Sequence, residues 1–435
     1  MQHVRDCILL YNPISNEGHL DSWHILFIEV FLKAGWGVIP VTHDPRAIQS
    51  KLEQKGLFSH PKLLWPKKIW QQSPQPMSTT ASFCRRVSRR VKRVFQSAAQ
   101  REQDLLANKF LDPQTFKDTI NHVLSAYPGR TQLVFNMYVD GYLPQAKAWA
   151  DMVFSDVKDS AVAASIPWAG LCITPENLSK PQASQTMPAY YLLSNYQGTC
   201  FLDETLPQKY RDHYSGKYFE FLPDITETDL PTTPNPLALD IKYKAAGRKI
   251  VFMGGSIGKQ KNLAQWVDLV LNLDPTQWYF VQIGRINVNN LTPADEHALA
   301  LLKQQQPANL YVHADYLPDE TVFNAIIAAS DVIFAVYRDF YRSSNMLSKA
   351  AYFEKPILVA DNCLMGERVT KYEIGLAVSP NHSEGIQAGL AKLLKLEGLA
   401  TKFANYRADF SRTEFSRRLD AFAQNCLPKD QVVNE

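Results

Sequence analysis

Short apolar runs, each ending in a glycine, asparagine, aspartate or proline, alternate along this chain with longer amphipathic stretches. A continuous apolar run bounded by turn residues predicts a strand buried on both faces. The amphipathic stretch after it predicts a crossover helix. CILLYNP (Cys7–Pro13) reads as such a strand and ISNEGHLDSW (Ile14–Trp23) as a polar loop. HILFIEVFLKAGW (His24–Trp36) reads as an apolar-faced helix and GVIPVTHD (Gly37–Asp44) as the next strand. This βαβ start predicts a parallel sheet with its functional loop at the strand's C-terminal end. The sheet pattern resumes at Gln132–Asp140, Ala169–Glu176 and Gly216–Asp224.

From Leu222 to Gly247 the chain carries Pro223, Pro231, Pro234 and Pro236 and no long apolar run, which predicts an interdomain linker. A second βα series begins at Lys249 with KIVFMGG. The further strands are WYFVQIGR, NLYVHADYL, DVIFAVY, PILVAD and GLAVSP, with helices between them and one running through Leu396. The economical architecture is α/β, two facing Rossmann-like doubly wound domains. Residues 1–224 form the first, with a basic amphipathic insert at 60–110. Residues 225–247 form the linker and 248–400 the second domain. The helical C-terminus, 401–435, packs back on the first domain.

The length of 435 residues agrees with two domains, and a composition 46% hydrophobic and 20% charged suffices for full cores. No apolar run approaches the ~18 residues that span a bilayer. Asp6 precedes a short ILLY run, which is not a signal-peptide layout, so a cytoplasmic protein is expected. The six cysteines lack any Cys-x-x-Cys spacing and read as free, mostly buried thiols in a reducing compartment. Net charge is +3, but Cys84–Arg101 holds seven bases and no acid, leaving the remainder mildly acidic. A general nucleic-acid surface is not expected. In FCRRVSRRVKRVF the apolar Phe83, Cys84, Val87, Val91, Val94 and Phe95 share one helical face. Arg85, Arg86, Arg89, Arg90, Lys92 and Arg93 share the other. That layout suits docking on an anionic membrane face, each base adding about 1 kcal/mol. The alternative is a solvated face over an ordinary core stripe. Trp65, Lys67, Lys68 and Trp70 extend the same surface.

Two stretches carry the chemistry. In VFMGGSIGKQKN (Val251–Asn262) a strand ends in Gly254 and Gly255, and a turn with Ser256 and Lys261 leads into a helix. In YRSSNMLSKAAYFEKPILVAD (Tyr341–Asp361) the small polar Ser343, Ser344 and Asn345 open an amphipathic helix that stops before Pro356. Helix N-termini present orphan N–H donors and about half a positive charge, so both ends point to phosphate. The alternatives are a tight βα turn with an exposed lysine, and an N-cap. Capping and anion binding use one geometry, so the two readings of Ser344 coexist.

From Lys249 to Val378 the chain resembles the nucleotide-sugar domain of GT-B-fold glycosyltransferases, especially the family-4-type group. The likeness rests on Gly255, Lys261 and Asn262, on Ile283-Gly284, on Ser330-Asp331-Val332 and on the Pro356 strand, all in family order. It implies that Lys261 and the amides near Ser344 contact a donor diphosphate. It further implies that Gly284 and Asp315–Leu317, including Tyr316, belong to the donor pocket. The residues matching the family's two Glu-x7-Glu acids are Tyr341 and Lys349, and Lys349 reads as a solvated helix lysine. Ser256 replaces the family's arginine, and Glu354-Lys355 replaces the glycine before the proline.

The resemblance implies a nucleotide-diphosphate sugar as donor, a saccharide or lipid-linked acceptor, no other cofactor, and a place in polysaccharide or glycoconjugate synthesis. No metal-binding cluster is visible, so a metal-independent hexosyl transfer is expected. Lys261 would neutralise charge on the departing diphosphate. His19, His24 and Glu17, around the loop after the first strand, are acceptor-side candidates. An imidazole there takes a hydroxyl proton near neutral pH. His19 and Asp140, the latter ending a strand, are the candidate catalytic bases; Asp21 and Glu176 are of the same kind. A nucleotide-sugar 2-epimerase of the same fold and a non-catalytic nucleotide-sugar-binding partner remain the alternatives.

Overall fold

The computed structural model describes residues 5–14, 20–42, 44–66, 113–140, 152–154, 165–174, 189–315, 317 and 319–427. Glu17, His19, Lys67, Lys68, Trp70, Glu176 and Tyr316 lie outside the described residues, as do Arg85, Arg86, Arg89, Arg90, Lys92 and Arg93. The chain divides into two compact units, Met1–Leu222 with Ser416–Glu435, and Pro223–Phe415.

The first unit holds β1 (Arg5–Asn12), β2 (Trp36–Thr42), β3 (Thr131–Asn136), β4 (Trp168–Cys172), β5 (Tyr196–Phe201) and β6 (Tyr218–Phe221). Their order is β2-β1-β3-β4-β5-β6 and every pairing is parallel. Ile8, Leu9 and Leu10 are all fully buried, as a run without alternation requires when helices cover both faces. Trp168 centres one face of the core, with ring centroids 4.6 Å from Tyr196 and 5.4 Å from Phe116. Strand β5 (YQGTCF) escapes the sequence reading because it is not an apolar run. Gly198 lets β6 approach, since a Cβ there would sit 1.8 Å from the Tyr218 carbonyl. The buried Thr199 hydroxyl is taken up by the Tyr191 and Tyr196 hydroxyls.

The first helix is Leu20–Lys33, so it begins inside the stretch read as a loop. Leu20, Trp23 and Phe27 are buried at one-turn spacing, which explains the earlier start. Of the stretch 401–435, read as packing back on the first domain, the part up to Phe415 belongs to the second unit, with the helix Leu399–Asp409, and the part from Ser416 belongs to the first. The Trp36 indole donates to Asp420 at 2.7 Å, and the Phe422 ring lies 5.5 Å from Tyr218 and 6.1 Å from Phe135.

The second unit holds β7 (Lys249–Gly254), β8 (Trp278–Ile283), β9 (Leu310–His313), β10 (Val332–Ala335), β11 (Ile357–Ala360) and β12 (Gly375–Val378). The order is β12-β11-β10-β7-β8-β9, again wholly parallel. All six strands are legible in the sequence. The stretch 225–247 differs from its reading as a linker. It belongs to this unit and contains the helix Pro236–Ala245. Asn235 caps that helix through the Leu237 and Ala238 amides, and Ala238, Ile241 and Ala245 form its buried stripe. Pro236, part of the composition that suggests a linker, stands at the first helical position, where its fixed φ suits a helix start.

Each sheet reverses its order once, between β1 and β3 and between β7 and β10. In doubly wound sheets ligands bind at the carboxyl ends of strands beside that switch point. Both glycine- and serine-bearing turns of the second unit follow β7 and β10.

Candidate functional site

Strand β7 ends at Gly254, where the Phe252 and Phe323 rings close in. A Cβ would meet their tips at 2.4 and 2.8 Å. Gly255 follows at φ 98°, and its amide donates to the Ile283 carbonyl at 3.0 Å. Gly284, after β8, has φ 121°, and a Cβ on it would lie 2.2 Å from the Gly255 carbonyl oxygen. Both glycines are therefore demanded by the backbone: one turn rests directly on the other.

The chain then makes a short 3-10 turn, Lys259–Lys261, that carries Lys261 back over the glycines. The Lys261 ammonium donates to the Gly254 carbonyl at 3.0 Å and to the Tyr337 hydroxyl at 2.6 Å. An ammonium has three donors, so a third remains for an anion above Gly255. Ser256 is exposed beside it.

Asn262 is fully buried in a left-handed conformation, φ 57°. Its amide donates to the Val336 and Pro380 carbonyls at 3.1 and 2.8 Å and its oxygen accepts from Arg338 at 2.6 Å. It therefore ties the loops after β7, β10 and β12 together. With its side chain so engaged, it cannot cap the helix Leu263–Asn272. Asp295 does so instead, accepting from the Ala264 amide at 2.9 Å. Arg338 is in turn backed by Asp295 at 3.8 Å.

The turn after β10 is bonded to the turn after β7. The Arg338 amide donates to the Gln260 carbonyl at 2.9 Å and the Arg342 guanidinium to the Gln260 side chain at 3.3 Å. This brings Ser343, Ser344 and Asn345 to the same edge as Lys261. Ser344 is the N-cap of the helix Asn345–Tyr352, its hydroxyl accepting from the Met346 amide at 3.4 Å. The Ser343 hydroxyl accepts from Arg368, whose guanidinium is buried on the helix Leu364–Tyr372. Leu317 is half-buried. The sequence reading missed Tyr337, although its place just beyond a strand end marks such a position. It also missed Arg368, for which the helix pattern gives no signal.

Three predicted residues stand differently from their sequence reading. Lys349 is not solvated: it is 1% exposed, its ammonium on Glu320 Oε1 at 2.6 Å, the Glu227 carbonyl at 3.2 Å and the Asn324 side chain. Asp140 is buried, its carboxylate taken up by the Ile173 amide at 3.0 Å and by the amide and hydroxyl of Thr174. It joins the loops after β3 and β4 rather than facing an acceptor. His24 is fully buried inside the first helix and does not line a surface loop. Burial lowers its pKa to about 3 from the ordinary 6.5, the Leu10 backbone offsetting only part of that.

A histidine kept neutral in the fold but free to protonate when unfolded destabilises the fold in acid. Above pH 6.5 it is neutral in both states and contributes no pH dependence. From pH 6.5 down to about 3, stability falls with slope about 1.4 kcal/mol per pH unit. Urea melts between pH 4.5 and 7 are expected to show this slope, and His24→Leu to flatten it. An equal slope in both proteins would mean that His24 is not the titrating group.

No protein-family model matches this chain, and no curated protein matches it in sequence. Solved structures do match. A glycosyltransferase from Rickettsia africae aligns over 97% of this chain and 99% of its own, with TM-score 0.61 and 12% identity. Sucrose-phosphate synthase from Thermosynechococcus elongatus aligns over 97% and 98%, with TM-score 0.59 and 12% identity. Anabaena HepE, in a complex with UDP and glucose, aligns over 97% and 100%, with TM-score 0.57 and 11% identity. The fold is GT-B. At these identities the likeness carries the GT-B architecture alone, and the chemistry of the site rests on its own residues. Those residues offer one free ammonium donor, a glycine turn and a capped helix N-terminus at one sheet edge. That set neutralises and orients an anion with several oxygens.

Proposed function

We propose that this protein is a glycosyltransferase moving a hexose-type sugar from a nucleotide-diphosphate donor to a saccharide or lipid-linked acceptor, in polysaccharide or glycoconjugate synthesis. The observation that carries this is Lys261, held over Gly255 by Gly254 and Tyr337 beside the Ser344 helix end, at the switch point of a GT-B unit. As the sugar leaves, negative charge grows on the diphosphate, and fixed donors aimed there stabilise the transition state most. The free N–H of Lys261 and the amides at the start of the helix Asn345–Tyr352 supply that charge neutralisation. A divalent cation is then not needed, and donor and acceptor are the only reactants. The basic segment Cys84–Arg101 suits a position at the inner face of an anionic membrane, where a lipid-linked acceptor is presented.

HepE was solved with UDP and glucose, and a trehalose-6-phosphate structure from E. coli with UDP-2-fluoro glucose, so uridine donors head the test. Thermal shift against UDP-, GDP- and dTDP-sugars is expected to show stabilisation by one of them, and product analysis to show transfer that EDTA does not reduce. Stabilisation without transfer to any acceptor would favour a non-catalytic binding protein, the reading that Tyr341 and Lys349 in the family's acidic positions support. Conversion of the donor alone would favour an epimerase. No stabilisation by any nucleotide sugar sinks all three.

A further inference from the structure

Lys349 has no hydrogen left for a ligand. Its three N–H donors meet Glu320, Asn324 and the Glu227 carbonyl, and it lies over the Phe323 ring at 5.6 Å. What it offers the site is Glu320. That side chain remains 47% exposed while one carboxylate oxygen is gripped from beneath by a buried charge. A buried ammonium stripped of its carboxylate would be costly, so the pair acts as one fixed unit.

Its place is next to the phosphate-facing turn. Glu320 opens the helix Glu320–Ala329, which follows β9 at the carboxyl edge of the sheet. Phe323, one turn on, reaches Gly254, where a Cβ would lie 2.8 Å from its ring tip. Gly254, Phe323, Lys349 and Glu320 are therefore successive neighbours, and Lys349 lies on the same helix that Ser344 caps.

The groups assigned to the diphosphate are all donors: an ammonium and amides. The remainder of a nucleotide sugar is rich in hydroxyls, which need acceptors. An ionised carboxylate accepts only, with two oxygens spaced for adjacent O–H groups. We propose that Glu320 accepts hydrogen bonds from vicinal hydroxyls of the donor, with Lys349 as the positioning residue that fixes it. This rests on the nucleotide-sugar reading above. Those hydroxyls belong either to the ribose or to the transferred sugar, and the two sources are separable.

The test is calorimetric titration of the full-length protein with inorganic pyrophosphate, with UDP or GDP (whichever binds tighter), with its 2′-deoxy form and with its glucose conjugate. Loss of a hydrogen bond to a charged group corresponds to roughly tenfold in affinity. The wild type is expected to prefer the ribonucleotide over the deoxy form by that factor if the ribose is bound. It will prefer the conjugate over the bare nucleotide if the sugar is bound. Glu320→Gln is expected to erase that preference and leave pyrophosphate affinity unchanged. Lys349→Met replaces the buried charge by a similar volume. It leaves the Asn324 and Glu227 oxygens without their donor and is expected to melt lower than wild type. Pyrophosphate affinity kept while the preference weakens is the result that a merely structural lysine would not give. Lys349→Arg should restore the preference. A preference that survives Glu320→Gln overturns the proposal, as does a wild type with no preference in either arm. Wild type that binds neither pyrophosphate nor any nucleotide overturns the donor reading itself, and the role of Glu320 falls with it.

Discussion

Lys261→Ala is expected to lower donor turnover about 10²–10³-fold, the usual cost of removing one preorganised charge-stabilising donor. The ammonium is fixed by Gly254 and Tyr337 over a glycine at φ 98°, so no side chain stands between it and an anion on the turn. Its remaining donor has no other assigned task. The fold should hardly notice: a half-buried hydrogen-bonding lysine contributes about 1 kcal/mol, or roughly 2–4 °C of melting temperature for a unit of this size. Steady-state kinetics on the best donor, beside a thermal melt, checks both parts. Lys261→Arg should recover some turnover, since charge is kept but the planar fork misplaces it. Unchanged kinetics in Lys261→Ala would remove this residue from the site.

Gly284→Ala is expected to be strongly destabilising to the second unit. The new Cβ would sit 2.2 Å from the Gly255 carbonyl oxygen, and the residue already adopts φ 121°. Backbone strain and overpacking together come to roughly 4 kcal/mol, or a melting temperature lower by roughly 10 °C. Relief comes only from moving Gly255, so donor affinity should fall with stability. Gly247→Ala is the matched control, since Gly247 has φ 83° but nothing within 4 Å of where its new methyl would stand. It carries the strain without the contact. If the two variants melt alike, the turns after β7 and β8 do not touch as described.

Much of this was legible because it is local. The six strands of the second unit are contiguous apolar runs, and both phosphate-facing turns carry their own marks. Gly254 and Gly255 announce a backbone that side chains would block, and Ser344 announces a cap. Other features were hidden because their cause lies far along the chain. Strand β5 exists by pairing with β4 and β6 rather than by its own composition. Its Gly198 reads as a breaker until the Tyr218 carbonyl is seen against it. Asp140 has the look of a strand-end base, yet Ile173 and Thr174, brought alongside by the β3–β4 pairing, consume its carboxylate.

The α/β class, the two units, the order of elements in the second and the two turns fitted to an anion are all written in local pattern. Periodicity and turn chemistry suffice for these, since each depends on neighbours within a few residues. Long-range packing sets β7 and β10 side by side, so that Lys261 and Ser344 share one edge. The same packing buries His24 as a neutral group and turns Lys349 inward to hold Glu320. Strand order and burial are set by contacts between distant segments. The same lysine is a solvated charge or a buried anchor according to which helix the sheet order places beside it.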